Sequence, residues 1–111
     1  MTKKTAPQNF LILSTAASLQ QARRLAALLL TRKLAACINI LPGLESHYRW
    51  KGKKEKAGEV LLLIKSRASV FARLEKALRE NHSYAVPEII ALPIQKGSPK
   101  YLKWIQQEVK R

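Results

Sequence analysis

The chain has 111 residues, room for one domain with a single core, and its 47% hydrophobic share is that of an ordinary globular protein. Twenty-one Lys and Arg face seven acidic residues, all Glu, for a formal charge of +14, which implies a general attraction to polyanions but names no partner. A single cysteine excludes an intrachain disulfide, Leu25 to Leu30 is bracketed by Arg23, Arg24, Arg32 and Lys33 too closely for a membrane span, and no apolar stretch follows the lysines of MTKKTAPQN, so a cytoplasmic protein is expected.

Residues 1–8 read as a flexible polar tail ahead of one domain over 9–111. Phe10 to Ser14 (FLILS) is a short buried strand. Ser18 and Gln21 have the spacing of a capping box, in which the serine caps the helix and the glutamine reaches back to it. Behind them Leu19, Ala22, Leu25, Ala26 and Leu29 recur at helical spacing, predicting a helix over 18–32. From Lys33 to Lys53 the pattern becomes extended. Apolar residues alternate at Ala36, Ile38 and Ile40, then again at Leu44, Tyr48 and Trp50, with Pro42-Gly43 between as a kink or bulge inside one long strand. Lys51-Gly52 is a turn signal, KGKKEKAG reads as a polar loop, and Glu59 to Ser66 (EVLLLIKS) is the hairpin partner. Ser69 opens a helix to about Glu80 with Val70, Phe71, Leu74, Ala77 and Leu78 along one side. Glu88 to Ile94 is a fourth strand whose Pro93 suits a sheet edge. Ser98-Pro99 opens a last helix with Tyr101, Leu102, Ile105 and Val109 facing inward.

The order β-α-β-β-α-β-α is an α+β, ferredoxin-like sandwich with an added C-terminal helix. Right-handed crossovers place both long helices on one face of the sheet. Val60, Leu62 and Ile64 then pack under the helices, while Leu61 and Leu63 face away, joined by Tyr48 and Trp50 if these turn the same way. Leaving about six large side chains uncovered forgoes roughly 1.5–3 kcal/mol each, so an obligate oligomer is expected.

The segments LAACINILPG (34–43), SHYRWKGK (46–53), EVLLLIKS (59–66), HSYAVPEIIALPI (82–94) and YLKWI (101–105) together resemble the CutA family of divalent-cation tolerance proteins, over about residues 9–108. The resemblance implies a homotrimer like that of the PII signalling proteins, with sheets packed about the three-fold axis. It also implies binding of copper or another divalent cation, with no organic cofactor and no established catalysis. The chain departs from the family in three ways: Ser14 stands where relatives often carry cysteine, His82-Ser83-Tyr84 replaces the usual His-Pro-Tyr and is expected to loosen that loop, and the +14 charge is atypical.

Candidate metal ligands are Cys37, His82 and Glu88. Cys37 is a soft thiolate donor or a small buried hydrophobe. His82 pairs with Glu88 toward an ion, or is a hydrogen-bonded loop histidine. His47, between Glu45 and Arg49, reads as surface decoration. Tyr48, Trp50, Glu59, Lys65, Tyr84 and Trp104 are candidates for an intersubunit cleft with apolar walls and a few polar groups. The alternative for its aromatics is interface packing, and for Lys65 a carboxylate partner. Lys51, Lys53, Lys54 and Lys56 read as a solvated hairpin tip. No P-loop, dinucleotide fingerprint, His-Glu-x-x-His or paired catalytic carboxylates appear. Nor are there the aromatic motifs with which RNA-recognition sheets stack bases, so no specific nucleic-acid partner is expected. Three readings follow: a non-enzymatic trimeric metal-binding protein, a PII-like small-molecule sensor using intersubunit clefts, and an engineered cationic variant with non-specific polyanion binding.

Overall fold

The computed structural model describes residues 8–110. The tail expected over 1–8 therefore lies outside the described residues except for Gln8, whose carbonyl accepts a hydrogen bond from the Ala68 N–H at 2.8 Å. The elements are β1 (Asn9–Ala16), α1 (Leu19–Thr31), β2 (Cys37–Trp50), β3 (Lys53–Arg67), a short 3-10 turn at Ala68–Val70, α2 (Phe71–Asn81), β4 (Ile89–Pro93) and α3 (Pro99–Glu108). One four-stranded sheet runs in the order β2-β3-β1-β4, and every neighbouring pair is antiparallel. This is the expected ferredoxin-like arrangement with its added helix.

Alternation along the strands divides the sheet cleanly. Ile12, Val60, Leu62 and Ile64 face α1 and α2 and form one core with Leu25, Leu29, Leu74, Leu78 and Ile105. Ser14 lies on this face too, fully buried, and its hydroxyl has no hydrogen-bond partner among the described residues. On the opposite face the cross-strand rows are Leu41–Leu61–Thr15, Asn39–Leu63–Leu13–Ile90 and Cys37–Lys65–Leu11–Leu92. Leu41, Ile90 and Leu92 are exposed there, and Leu11, Leu13, Leu61 and Leu63 are half-buried. The helices leave this second face open.

Three expectations are corrected by the structure. The loop expected over KGKKEKAG is mostly strand: β3 begins at Lys53, and the turn is only Lys51-Gly52, both at positive φ (50° and 78°). Two residues in that conformation are the hairpin connection that matches strand twist. Residues 53–56 carry no hydrophobic alternation because both of their faces meet solvent, so the sequence pattern had nothing to report. Tyr101 does not face inward but stays 42% exposed, while Ile105 and Val109 take the core positions. Gln21 does not close a capping box. Ser18 Oγ accepts from the Gln21 N–H at 3.1 Å, but the Gln21 side chain turns away to Ser83.

The Pro42-Gly43 bulge is present and decides more than a bend. Leu41 pairs with Leu61 and Leu44 with Glu59, so three steps on β2 match two on β3. Gly43, at φ 84°, takes the left-handed conformation this requires. One extra residue reverses the phase. Ile38 and Ile40 face the helices, whereas Leu44, Tyr48 and Trp50, although also even-numbered, face the open side with Leu61 and Leu63. Beyond the bulge β2 and β3 form an arm whose residues 49–56 are all exposed. It stretches the molecule to 50 × 34 × 23 Å, and the radius of gyration of 15.1 Å exceeds the roughly 13 Å of a compact chain of this length.

Candidate functional site: a cleft at the base of the arm

At the base of the arm, on the open side of the sheet, lies a cleft of about 750 Å3 lined by Tyr48, Trp50, Glu59, Tyr84, Val86 and Glu88, with Thr15, Ser46, His47, Ala57, Ser83 and Ala85 completing its walls. β2 brings Ser46, His47, Tyr48 and Trp50, β3 brings Ala57 and Glu59, β1 brings Thr15, and the segment after α2 brings the rest. That segment is fastened by side chains distant in sequence. The Ser83 N–H donates to Gln21 Oε1 at 2.8 Å, and the Tyr84 hydroxyl donates to Glu59 Oε2 at 2.8 Å. Ser83 thus tightens the loop it was expected to loosen, because a proline at that position has no N–H to give.

The Tyr84 phenol is pushed up to about 12, first by burial, then by its hydrogen bond to Glu59 and by the negative charges of Glu59 and Tyr48. It remains a neutral donor at physiological pH, orienting the Glu59 carboxylate in the wall.

His82 is committed elsewhere. Its Nδ1 accepts the Tyr84 N–H at 3.1 Å, so Nε2 carries the proton and donates it to the Thr15 carbonyl at 2.8 Å. Neither nitrogen keeps a lone pair for a metal. Tyr84 also stacks against the ring, with centroids 4.9 Å apart. Of the expected ligand trio, only Glu88 lines the cleft.

Cys37 lies at the other end of the open face, cross-strand from Lys65. Lys65 and Glu59 are separated along β3 by about 20 Å at the rise of an extended strand. Lys65 donates to Asn39 Oδ1 rather than to a carboxylate, and the Cys37 thiol lies 3.9 Å from the same oxygen. Tyr101 completes this second cluster: burial first, then Cys37 beside it, push its phenol up. Trp104 stacks on Tyr101 at 5.6 Å between centroids. Within one protomer, then, four of the six cleft candidates (Tyr48, Trp50, Glu59, Tyr84) converge. Lys65 and Trp104 belong with Cys37 instead, and Cys37 is far from His82 and Glu88. No three His, Cys, Asp or Glu residues gather as a metal-holding group among the described residues. Thr15, Ser46, Ala57, Ser83, Ala85 and Val86 line the cleft without having been marked for it by the sequence, and His47, expected as surface decoration, lies at its wall. For Ser46 the period-two spacing from Tyr48 and Trp50 was an available signal; for Thr15 there was none.

No helix of the described residues is long and apolar enough to cross a membrane. Comparison with known proteins is consistent along the chain. The family model described as "CutA1 divalent ion tolerance protein" matches residues 10–108. The chain is 42% identical to "Protein CutA 1, chloroplastic" of Oryza sativa subsp. japonica over 98% of its own length, and spans 61% of that relative. It is 44% identical to the "Divalent-cation tolerance protein CutA" of Thermus thermophilus over 86% of its length and 93% of that protein. Among solved structures, the periplasmic divalent cation tolerance protein CutA of Archaeoglobus fulgidus superposes with a TM-score of 0.89 at 41% identity, covering 92% of this chain and 99% of that one. The names of these relatives place them in different compartments, so the compartment of this chain does not follow from kinship. With its sheet order, its bulged arm and this match over nearly all the described residues, the chain belongs to the CutA1 divalent ion tolerance protein family.

Proposed function

We propose that this chain works as a non-enzymatic cytoplasmic homotrimer that takes up divalent metal ions, copper foremost, as cargo at junctions between protomers. The observation that carries the reading is the position of Cys37: a half-buried free thiol on the apolar sheet face that a single protomer leaves open. A neighbour covering that face brings its own donors to the thiol, which is the soft ligand copper prefers. His82 does not fit as a ligand within one chain, since both of its nitrogens are engaged. Glu88 and Glu59, the latter holding the Tyr84 hydroxyl, are the cleft carboxylates that a second protomer would meet. Copper titration of the metal-free assembly, followed by calorimetry, tests this. Cys37→Ala is expected to weaken binding at least tenfold, and unchanged affinity and stoichiometry in Cys37→Ala and Glu88→Gln alike would remove both residues as donors.

A second reading, small-molecule sensing, rests on the cleft itself, whose aromatic walls and oriented carboxylate suit an organic ligand. Thermal stabilisation of the metal-free protein by a nucleotide or another small metabolite, lost in Trp50→Ala, would favour it.

A further inference from the structure

The arm has two unlike faces, and the proposed function uses only one of them. Tyr48 and Trp50 turn toward the open side of the sheet, opposite Glu55 and Lys53. On the other side Arg49 lies directly across from Lys54, Lys56 follows two residues along β3, and Lys51 stands at the turn. All four are exposed. Glu45 and His47 share this face nearer the base of the arm, opposite Gly58 and Lys56, and pair with each other at 2.8 Å; none of the four cations is in an ion pair among the described residues. Glu55 cannot neutralise them, because alternation puts it on the aromatic side.

Like charges placed directly opposite one another weaken a strand pair, and here they sit on a ribbon that no helix supports. Charge on a free arm guards its edges against unwanted strand pairing, but that role is served by either sign or by a mixture. Toward its tip, past the Glu45–His47 pair, this face carries only cations and is complementary to an extended anion. Along β3 the positive charges of Lys54 and Lys56 recur about every 6.6–6.8 Å, a spacing suited to the closely spaced charges of a phosphodiester backbone, one per about 3.4 Å of each strand. Tyr48 and Trp50 are on the opposite face, and the one ring on the cationic side, His47, is held by Glu45, so this face offers charge rather than an aromatic platform for bases.

The geometry points to a second interaction surface: the cationic face of the β2–β3 arm binds the phosphate backbone of duplex nucleic acid without reading sequence. Binding of this kind follows counterion release, with each phosphate contact adding about 0.9 to the slope of log affinity against log salt.

The test uses the full chain in its native assembly and a fluorescein-labelled mixed-sequence DNA duplex of about 30 base pairs, with anisotropy read across a salt series. Arg49→Gln/Lys51→Gln/Lys54→Gln/Lys56→Gln is compared with Arg23→Gln/Arg24→Gln/Arg73→Gln/Lys76→Gln, which removes equal charge from exposed positions on the helices. The arm variant is expected to lose at least tenfold in affinity and to flatten the salt slope by about 3 or more, while the helix variant stays within threefold of the parent. Lys54→Arg, keeping the charge, is expected to bind like the parent. Circular dichroism and sedimentation confirm that each variant is folded and assembled. Equal losses in both quadruple variants would reduce the effect to bulk charge and overturn the assignment. So would absence of DNA binding near 0.15 M salt, with binding to inorganic polyphosphate alone.

Discussion

Replacing Leu63 by lysine tests the open sheet face most directly. Leu63 sits in the middle of the row Asn39–Leu63–Leu13–Ile90, on the side away from the helices. If neighbouring protomers cover this row, each lysine forfeits about 2 kcal/mol of leucine burial. Each also places an unpaired ammonium in an apolar contact, at a further cost of several kcal/mol. Over three copies the penalty is on the order of 15 kcal/mol per trimer. Lysine can swing its charge toward solvent, yet a third of that penalty still shifts the association equilibrium by more than about three decades. Sedimentation velocity at micromolar concentration is expected to show a trimer for the parent and a folded monomer for Leu63→Lys, with the far-ultraviolet circular dichroism retained because the helix-side core is untouched. The adjacent Leu62, 0% exposed on the opposite face, supplies the contrast. Leu62→Ala is expected to cost about 2–5 kcal/mol of folding stability and to lower the thermal midpoint while the assembly at low temperature stays intact. A Leu63→Lys protein that sediments and melts like the parent would refute the assignment of this face to protomer contacts.

The loop after α2 offers two further tests. Ser83→Pro removes the N–H that Gln21 Oε1 accepts and leaves that oxygen, on a residue only 8% exposed, without its partner. The expected loss is about 1–3 kcal/mol, outweighing the roughly 0.4–1 kcal/mol that proline's restriction of the unfolded chain returns, and is measured by guanidinium denaturation. The raised phenol of Tyr84 makes a pH prediction with a definite sign. Its value of about 12 in the folded protein lies above the ordinary 10.0, so the stability it contributes is fully present below pH ~10 and drains away as pH rises through ~12. In a Tyr101→Phe background, phenolate absorbance should show this late step, and Glu59→Gln should move it down. A Tyr84 step unmoved by Glu59→Gln would mean that burial alone sets it.

Where hydrophobic period and burial coincide, the sequence was legible. The stripe Leu25, Leu29, Leu74, Leu78 and the strand residues Leu62 and Ile64 are the core in fact, because a half-buried element must repeat apolar residues at its own period. The arm was less legible, since residues 53–56 face solvent on both sides and leave no pattern. The candidate site was half legible. Tyr48, Trp50, Glu59 and Tyr84, expected in a cleft between subunits, line one cleft within the protomer, whereas the trio Cys37, His82 and Glu88 does not come together in one chain.

The amino-acid sequence by itself determined the order of elements, the helix-facing core, the bulge at Pro42-Gly43 and the apolar excess on the second sheet face. Each of these is set by residues within a few positions of one another, where local sterics and periodicity act. Only the tertiary structure decided that the bulge turns Tyr48 and Trp50 to the open side, that Gln21 serves Ser83 rather than its own helix end, and that both nitrogens of His82 are spent on Thr15 and Tyr84. Those outcomes depend on which polar groups meet across the fold. A hydrogen bond between residues 62 or 67 positions apart leaves no periodic trace in the chain that makes it.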